Sequence, residues 1–369
     1  MLFALCLTLI VAPVAGMNEE NLYLAEVLVK GRDIDTRDQA MATALGEVLV
    51  RVTGEGNAAS RTEVQDMLKD PVRYVQQFHY REQLPNPEQG KPNGGEIALL
   101  LSVRFDAAAV DGALRKRGLP VWGQERPSML VWLAVEDGTD RFLVGADEDQ
   151  ALRAPLEDAA RRRGLTLLFP LLDLEDRSAL SFSDVWGGFR ENIVHASARY
   201  STEALLIGRV YRSNSGGWIA RWSLDQLDVR SEWARQGENL VEVLAGSVDG
   251  AAEALASRFA VRVGENVNTP LKLRVSGITR LEDYARVARY LASLSVVTNV
   301  QPSVVEASSI TFVLEMRGDR RSLTESIALG GTLRPMANTV PSGEFDGATL
   351  RGGHDPPNPF TPLEYQLLP

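Results

Sequence analysis

SMLVWLAVE, residues 128–136, is the stretch on which the fold turns. From Met129 to Val135 it is apolar without alternation, the pattern of a strand covered on both faces. Its counterpart is Glu203–Gln226. There ALLIGRVYR (204–212) and WIARWSLD (218–225) read as strands around Ser213-Asn214-Ser215-Gly216-Gly217, a hairpin turn by composition. Along the second strand Trp218, Ala220 and Trp222 share one face and Arg221 takes the other. Between these poles a helix is predicted over about 149–163, closing on Arg161, Arg162 and Arg163 before Gly164, and then a short buried strand, Leu165–Phe169. Strand, helix and short strand in that order predict a parallel pair with a right-handed crossover. A second helix is predicted over 187–200, with Phe189, Ile193, Ala196 and Tyr200 on one side. A strand near 232–236 and a helix over 240–259 complete a central α/β module, residues 119–264, which holds all six tryptophans.

Working outward, residues 17–118 read as a small α+β module. Tyr23–Val29 is a predicted strand, and Thr36-x-x-Gln39 reads as a capping box, in which two side chains satisfy orphan amides at a helix start. Met41, Leu45, Val48 and Val52 then line one helical face up to Gly54 and Gly56. A short helix is predicted at 63–69 and strands at 76–82 and 97–105; Asp106 caps a helix over 107–117. On the other side, residues 265–336 give the order strand, helix, strand, strand, helix, strand, that of a ferredoxin-like βαββαβ unit. Capping boxes are predicted at Thr279-x-x-Glu282 and Ser322-x-x-Glu325. Residues 337–369, rich in Pro and Gly, read as a disordered tail; the alternative is a tether whose end, Phe360 to Leu368, is a docking motif. The fold class is therefore α+β and α/β in three modules.

The leading residues Met1–Gly16 (MLFALCLTLIVAPVAG) carry no charged side chain and have the length and small-residue ending of a signal peptide, with cleavage predicted after Gly16. The run breaks at Pro13, short of the ~20 apolar residues of a membrane helix. The one cysteine, Cys6, lies inside it, so the exported chain would carry no thiol. No transmembrane segment is predicted after the signal, and the expected location is the periplasm. A net charge of −10 argues against a nucleic-acid partner, which is usually met by a basic stripe. No cofactor motif stands out, and the expected partners are other envelope proteins.

Three segments carry a family resemblance: VRFDAAAVDGALRKRGLPVWGQERPSMLVWLAVED (103–137), AARRRGLTLLFPLLDLEDRSALSFSDVWGGF (159–189) and ASARYSTEALLIGRVYRSNSGGWIARWSL (196–224). They resemble domain-of-unknown-function family 2066, found in Gram-negative envelope proteins, over Tyr23 to Val263. The 204–224 hairpin is also similar to that of the amino-terminal domain of the Tol-system translocation protein, and to modules of flagellar and curli assembly proteins. These likenesses imply scaffold or assembly work and bring no catalytic residues.

Six residues form the candidate interaction surface: Trp186, Trp218, Trp222, Asp173, Glu175 and Asp184. Asp173, Glu175 and Asp176 follow a predicted strand end, where open α/β sheets place ligands. They also suit a loop whose acids cap the next turn. Trp218 and Trp222 at period two suit an inter-domain face or a core, and Asp184 near Trp186 suits a sugar. His79, His195 and His354 have no metal-pair spacing. The leading reading is a non-enzymatic scaffold acting through protein contacts. A glycan-binding module using the tryptophans is one alternative. A hydrolase is the other, and needs two of the carboxylates within about 5–10 Å across a cleft.

Overall fold

The computed structural model describes residues 22–83, 98–147, 149–214, 216–226, 229–260, 270–317, 320–336 and 362–368. The predicted signal peptide, residues 1–16, therefore lies outside the described residues. Three sheets organise the described chain, each with a buried core of its own.

The first sheet begins with β1 (Leu24–Val29), followed by helices α1 (Ile34–Thr53) and α2 (Gln65–Lys69), strands β2 (Val75–Gln83) and β3 (Ala98–Phe105), and helix α3 (Ala107–Lys116). The strand order is β1-β3-β2, antiparallel throughout. Met41, Leu45, Val48 and Val52 are buried on one face of α1, as their spacing requires. The cap of α1 differs from the sequence reading: Asp33, not Thr36, is the N-cap, and its carboxylate accepts from the Thr36 amide at 2.9 Å. Asp106 caps α3 through the Ala109 amide at 2.9 Å.

The second sheet starts with β4 (Ser128–Asp137) and β5 (Asp140–Leu143), then α4 (Gln150–Arg163), β6 (Thr166–Leu168), and the short helices α5 (Leu174–Ala179), α6 (Phe182–Gly187) and α7 (Arg190–Ser197). Strands β7 (Ala204–Arg212), β8 (Trp218–Gln226) and β9 (Val229–Gly237) and helix α8 (Leu240–Phe259) complete it. The order is β5-β4-β7-β8-β9, with β6 beside β4. β4 runs parallel to both β6 and β7, and β7–β8 is the antiparallel hairpin. The apolar run in β4 follows from this placement. Met129, Val131, Leu133 and Val135 enter a core with α4 and α8, while Leu130, Trp132 and Ala134 enter another with α6 and α7. The predicted 187–200 helix is broken. α6 ends at Gly188 in the left-handed conformation (φ 70°), α7 starts after Phe189, and Phe189 is exposed where the periodicity placed it inside.

The third sheet contains β10 (Leu271–Ser276), α9 (Leu281–Ser293), β11 (Val297–Val305), β12 (Ser309–Met316), α10 (Arg320–Leu329), β13 (Leu333–Pro335) and β14 (Leu363–Leu367). The predicted strand–helix alternation is present, but the strand order is β11-β12-β10-β14-β13. The tail expectation is corrected over its last residues. β14 lies between β10 and β13, and Leu363 and Tyr365 are each 1% exposed. The alternation Leu363-x-Tyr365-x-Leu367 aims apolar side chains at one face, which the Pro/Gly content of the preceding stretch hid. Neither predicted box in this sheet forms as read. Asp283, one residue beyond Glu282, accepts from the Thr279 and Arg280 amides, and Glu325 pairs with Arg258 and Arg321.

Candidate functional site

Two of the three nominated acids, Asp173 and Asp184, are structural caps. Asp173 caps α5, accepting from the Asp176 amide at 3.0 Å, and receives both terminal nitrogens of Arg199 at 2.8 and 2.9 Å. Arg199 also reaches Glu175 at 3.6 Å and the buried Asp176 at 3.0 Å. The Arg199 guanidinium, with the Asp176 amide next, holds Asp173 down to about 2. Asp184 belongs to a different device, a capping box with Ser181, and accepts from Asn192 at 2.7 Å. Hydrogen bonds from the Ser181 side chain, the Ser181 amide and Asn192 lower its pKa as well. A glycosidase needs one carboxyl that keeps its proton near neutrality, and Asp173 and Asp184 are shifted the other way.

The tryptophans do not share a surface. Trp218 and Trp222 sit in the core under α4 and α8, 7% and 3% exposed. Trp186 lies on the opposite side of the sheet, stacked on Phe182 at 5.3 Å and edge-on to Tyr211 at 5.8 Å. The period-two pair is a core pair, because β8 is covered on that face by α8; it is not available to a ligand. Among the described residues, no cluster of three or more His, Cys, Asp or Glu is placed to hold a metal ion. No described helix is long and apolar enough to cross a membrane.

The structure instead concentrates its unusual chemistry where the first two sheets meet. α1 ends at Gly54 and α4 at Gly164, both in left-handed C-caps (φ 72° and 69°). The last carbonyls of a helix have no partner inside it and carry the negative end of its dipole. Here Arg126 and Arg163 answer the two helix ends, and Arg51 ties the end of α1 to the start of β1. Arg126 donates to the carbonyls of Arg163 at 2.9 Å, Gly164 at 3.3 Å, Arg51 at 2.8 Å, Trp122 at 3.1 Å and Gly123 at 3.1 Å. Its guanidinium lies 4.1 Å from the Trp122 ring centre. Arg163, 5% exposed, donates to the Gly54 carbonyl and to Asp249, each at 2.7 Å. Arg51, 7% exposed, donates to the carbonyls of Leu22 at 3.1 Å and Leu24 at 2.7 Å. Desolvation lowers the pKa of Arg126 to about 9, still charged at neutral pH. Close packing seals the joint, since a side chain at Gly54 would collide with Ala256 of α8.

Beside this joint opens a cleft of about 1400 Å³. One wall is the face of α1 bearing Gln39, Thr43, Gly46, Glu47 and Val50, continued by Gly54–Asn57. The facing wall is Asp249, Glu253, Ala256 and Ser257 of α8, with Arg162 and Arg163 at the end of α4 and Arg235 of β9. Within it Asp249 is paired with Arg163 and Glu55 with Arg61, both at 2.7 Å. Desolvation raises the pKa of Glu47, opposed by Arg51 and Arg162. The lining of the cleft combines small residues, among them Ala42, Gly46 and Ala256, with charged side chains of both signs. Of these residues the sequence marks only Gly54, Gly56, Arg162 and Arg163, and only as helix ends. The available signal was arginine in the last turns of two helices that end in glycine: Arg51, three residues before Gly54, and Arg163, next to Gly164.

Residues 17–123 are similar to a domain of unknown function, DUF8605. The match spans the first sheet and its helices and stops at Gly123, whose carbonyl Arg126 holds. It corrects the resemblance to family 2066, since the family matched is a different one. No curated protein matches the chain.

Proposed function

We propose that this protein is exported to the periplasm and works there by contact, as a non-enzymatic scaffold or assembly adaptor of the cell envelope. The observation that carries this reading is the arginine joint. Arg126 and Arg163 fix the first sheet against the second, and the cleft beside them is walled by both. Fixed mutual placement of two units is what a surface that must present both to one partner requires. In this reading the cleft takes a segment of another envelope protein. The third sheet, a ferredoxin-like unit widened by one strand, is a further docking module. Export is supported by the reading of Met1–Gly16 and by a family match that begins at residue 17, directly after the predicted cleavage.

The test is photo-crosslinking in the periplasm from single positions. Probes at Thr43 and Ser257 on the cleft walls should give the same discrete crosslinked species, and a probe at Leu174, 86% exposed and outside the cleft, should not. Identical patterns from all three positions would count against the cleft. Sequencing the amino terminus of the periplasmic fraction tests export, and an uncut chain found with cytosolic proteins would refute it.

A further inference from the structure

On the face of the central sheet turned away from α8 and the cleft, a groove of about 190 Å³ opens between the end of α6 and strands β7, β8 and β9. Its charged lining is three arginines, Arg209, Arg221 and Arg230, against one carboxylate, Glu232. The chain as a whole has a net charge of −10, so this local excess is of the opposite sign.

Arg209 and Arg221 stand directly opposite each other in the β7–β8 hairpin and share one face. Like charges so placed, with about 5 Å between their Cβ atoms, destabilise a sheet. Neither has a carboxylate partner among the described residues. Arg209 donates to the Trp186 carbonyl at 2.8 Å and Arg221 to the Tyr211 hydroxyl at 3.1 Å, and both acceptors are neutral. The two guanidiniums are therefore steered into place with their charge uncompensated and most of their N–H donors unused. Ser223, on the same face of β8, lines the groove at 6% exposure, and its hydroxyl bonds to no described residue. A polar group so deeply placed without a partner costs stability. Arg230 is the outer member. Glu232 takes its Nε at 2.8 Å, and Asp225, itself held by Arg190 at 2.9 Å, lies 3.7 Å from the same nitrogen.

We propose that this groove is an oxyanion site, and that its ligand is the phosphate group of a phosphorylated molecule. Two uncompensated guanidiniums and a free hydroxyl match a tetrahedral dianion, which accepts from several donors at once. A carboxylate is planar and singly charged, so it answers one guanidinium fork and leaves much of the repulsion between the arginines standing. The phosphate turns that repulsion into the driving force for binding. The groove holds the phosphate and little of what carries it, and it lies on the other face of the sheet from the cleft, so the inference is independent of the function proposed above.

The experiment titrates the full chain with sodium phosphate by calorimetry at neutral pH, with sodium chloride holding the ionic strength constant. The expected result is saturable one-to-one binding that Arg209→Gln and Arg221→Gln each weaken about tenfold or more. Arg141→Gln, which removes an arginine paired with Glu136 on the same sheet, should leave it unchanged. Sodium acetate should bind far more weakly than phosphate. In phosphate-free buffer Arg221→Gln should melt no lower than the parent, because it relieves a like-charge contact, and added phosphate should raise the melting temperature of the parent alone. Vesicles of phosphatidylcholine containing phosphatidate separate the two sources of the group. Sedimentation with them that depends on Arg221 assigns a lipid headgroup, and phosphate binding without sedimentation assigns a soluble ester. Phosphate binding that never saturates or that survives both substitutions would overturn the proposal. So would acetate binding as tight as phosphate, or a lowered melting temperature of Arg221→Gln in phosphate-free buffer.

Discussion

At the scale of single residues, the side chains that looked like chemistry are those that hold loops in place. Asp173 and Asp184 sit at helix starts because a carboxylate there satisfies free amides and faces the positive end of the dipole. Their depressed pKa values report that service. For Asp173 the sign is definite: its contribution to stability is complete above the ordinary value of 3.8 and is lost as pH falls toward about 2. Asp173→Asn should therefore lower the melting temperature by a few degrees at pH 7, and the difference from the parent should close between pH 4 and pH 2. Thermal melts across that range check it; a gap independent of pH would mean that the charge of Asp173 contributes nothing to stability. The arginines show the converse. Arg163 reads in sequence as a favourable charge at a helix end, but its Gly54 and Asp249 contacts require two other elements to arrive beside it.

At the scale of elements, strands were more legible than helix ends. β4, β7 and β8 follow their apolar patterns because burial on both faces, or on one, writes itself directly into every or every second residue. Helix starts at Asp33 and Arg280 fell to neighbours of the residues the box pattern selected, since several adjacent polar side chains can cap and local sequence does not rank them. β8 approaches β7 closely where Gly208 faces the Trp222 ring, so a Cβ there would collide with it. Gly208→Ala should destabilise the central sheet by about 1–3 kcal/mol through overpacking, seen in urea unfolding and in a red-shifted tryptophan emission. β14 is the element least visible beforehand. Tyr365→Ala should cost about 3 kcal/mol and unfold the third sheet first, which hydrogen exchange on Leu273 and Val275 would register as lost protection.

At the scale of the whole molecule, the three sheets keep separate buried cores, and charged contacts tie them together. The first pair shares the arginine joint. The second and third are linked by Arg258, which donates to Glu325 at 2.8 and 3.1 Å, and by Leu329 packed against the central core. Arg126→Met should cost about 3 kcal/mol, since it leaves carbonyls at two helix ends without their donor. It should also uncouple the first sheet, so that hydrogen exchange at Leu45 and Val103 loses protection before that of the central core. A single unshifted transition would mean that water replaces the guanidinium at no net cost.

The sequence by itself determined the α+β character, the strands of the central sheet other than β5, the buried face of α1 and the strand–helix order of the third sheet, because each follows from a repeat of two or 3.6 residues among near neighbours. It could not determine that Arg51, Arg126 and Arg163 meet, that Trp186 and Trp222 lie on opposite faces, or that residues 363–367 enter a sheet completed some thirty residues earlier. Those facts depend on which surfaces come together across tens of residues, and only the tertiary structure, by bringing two helix ends and one distant strand into contact, decides them.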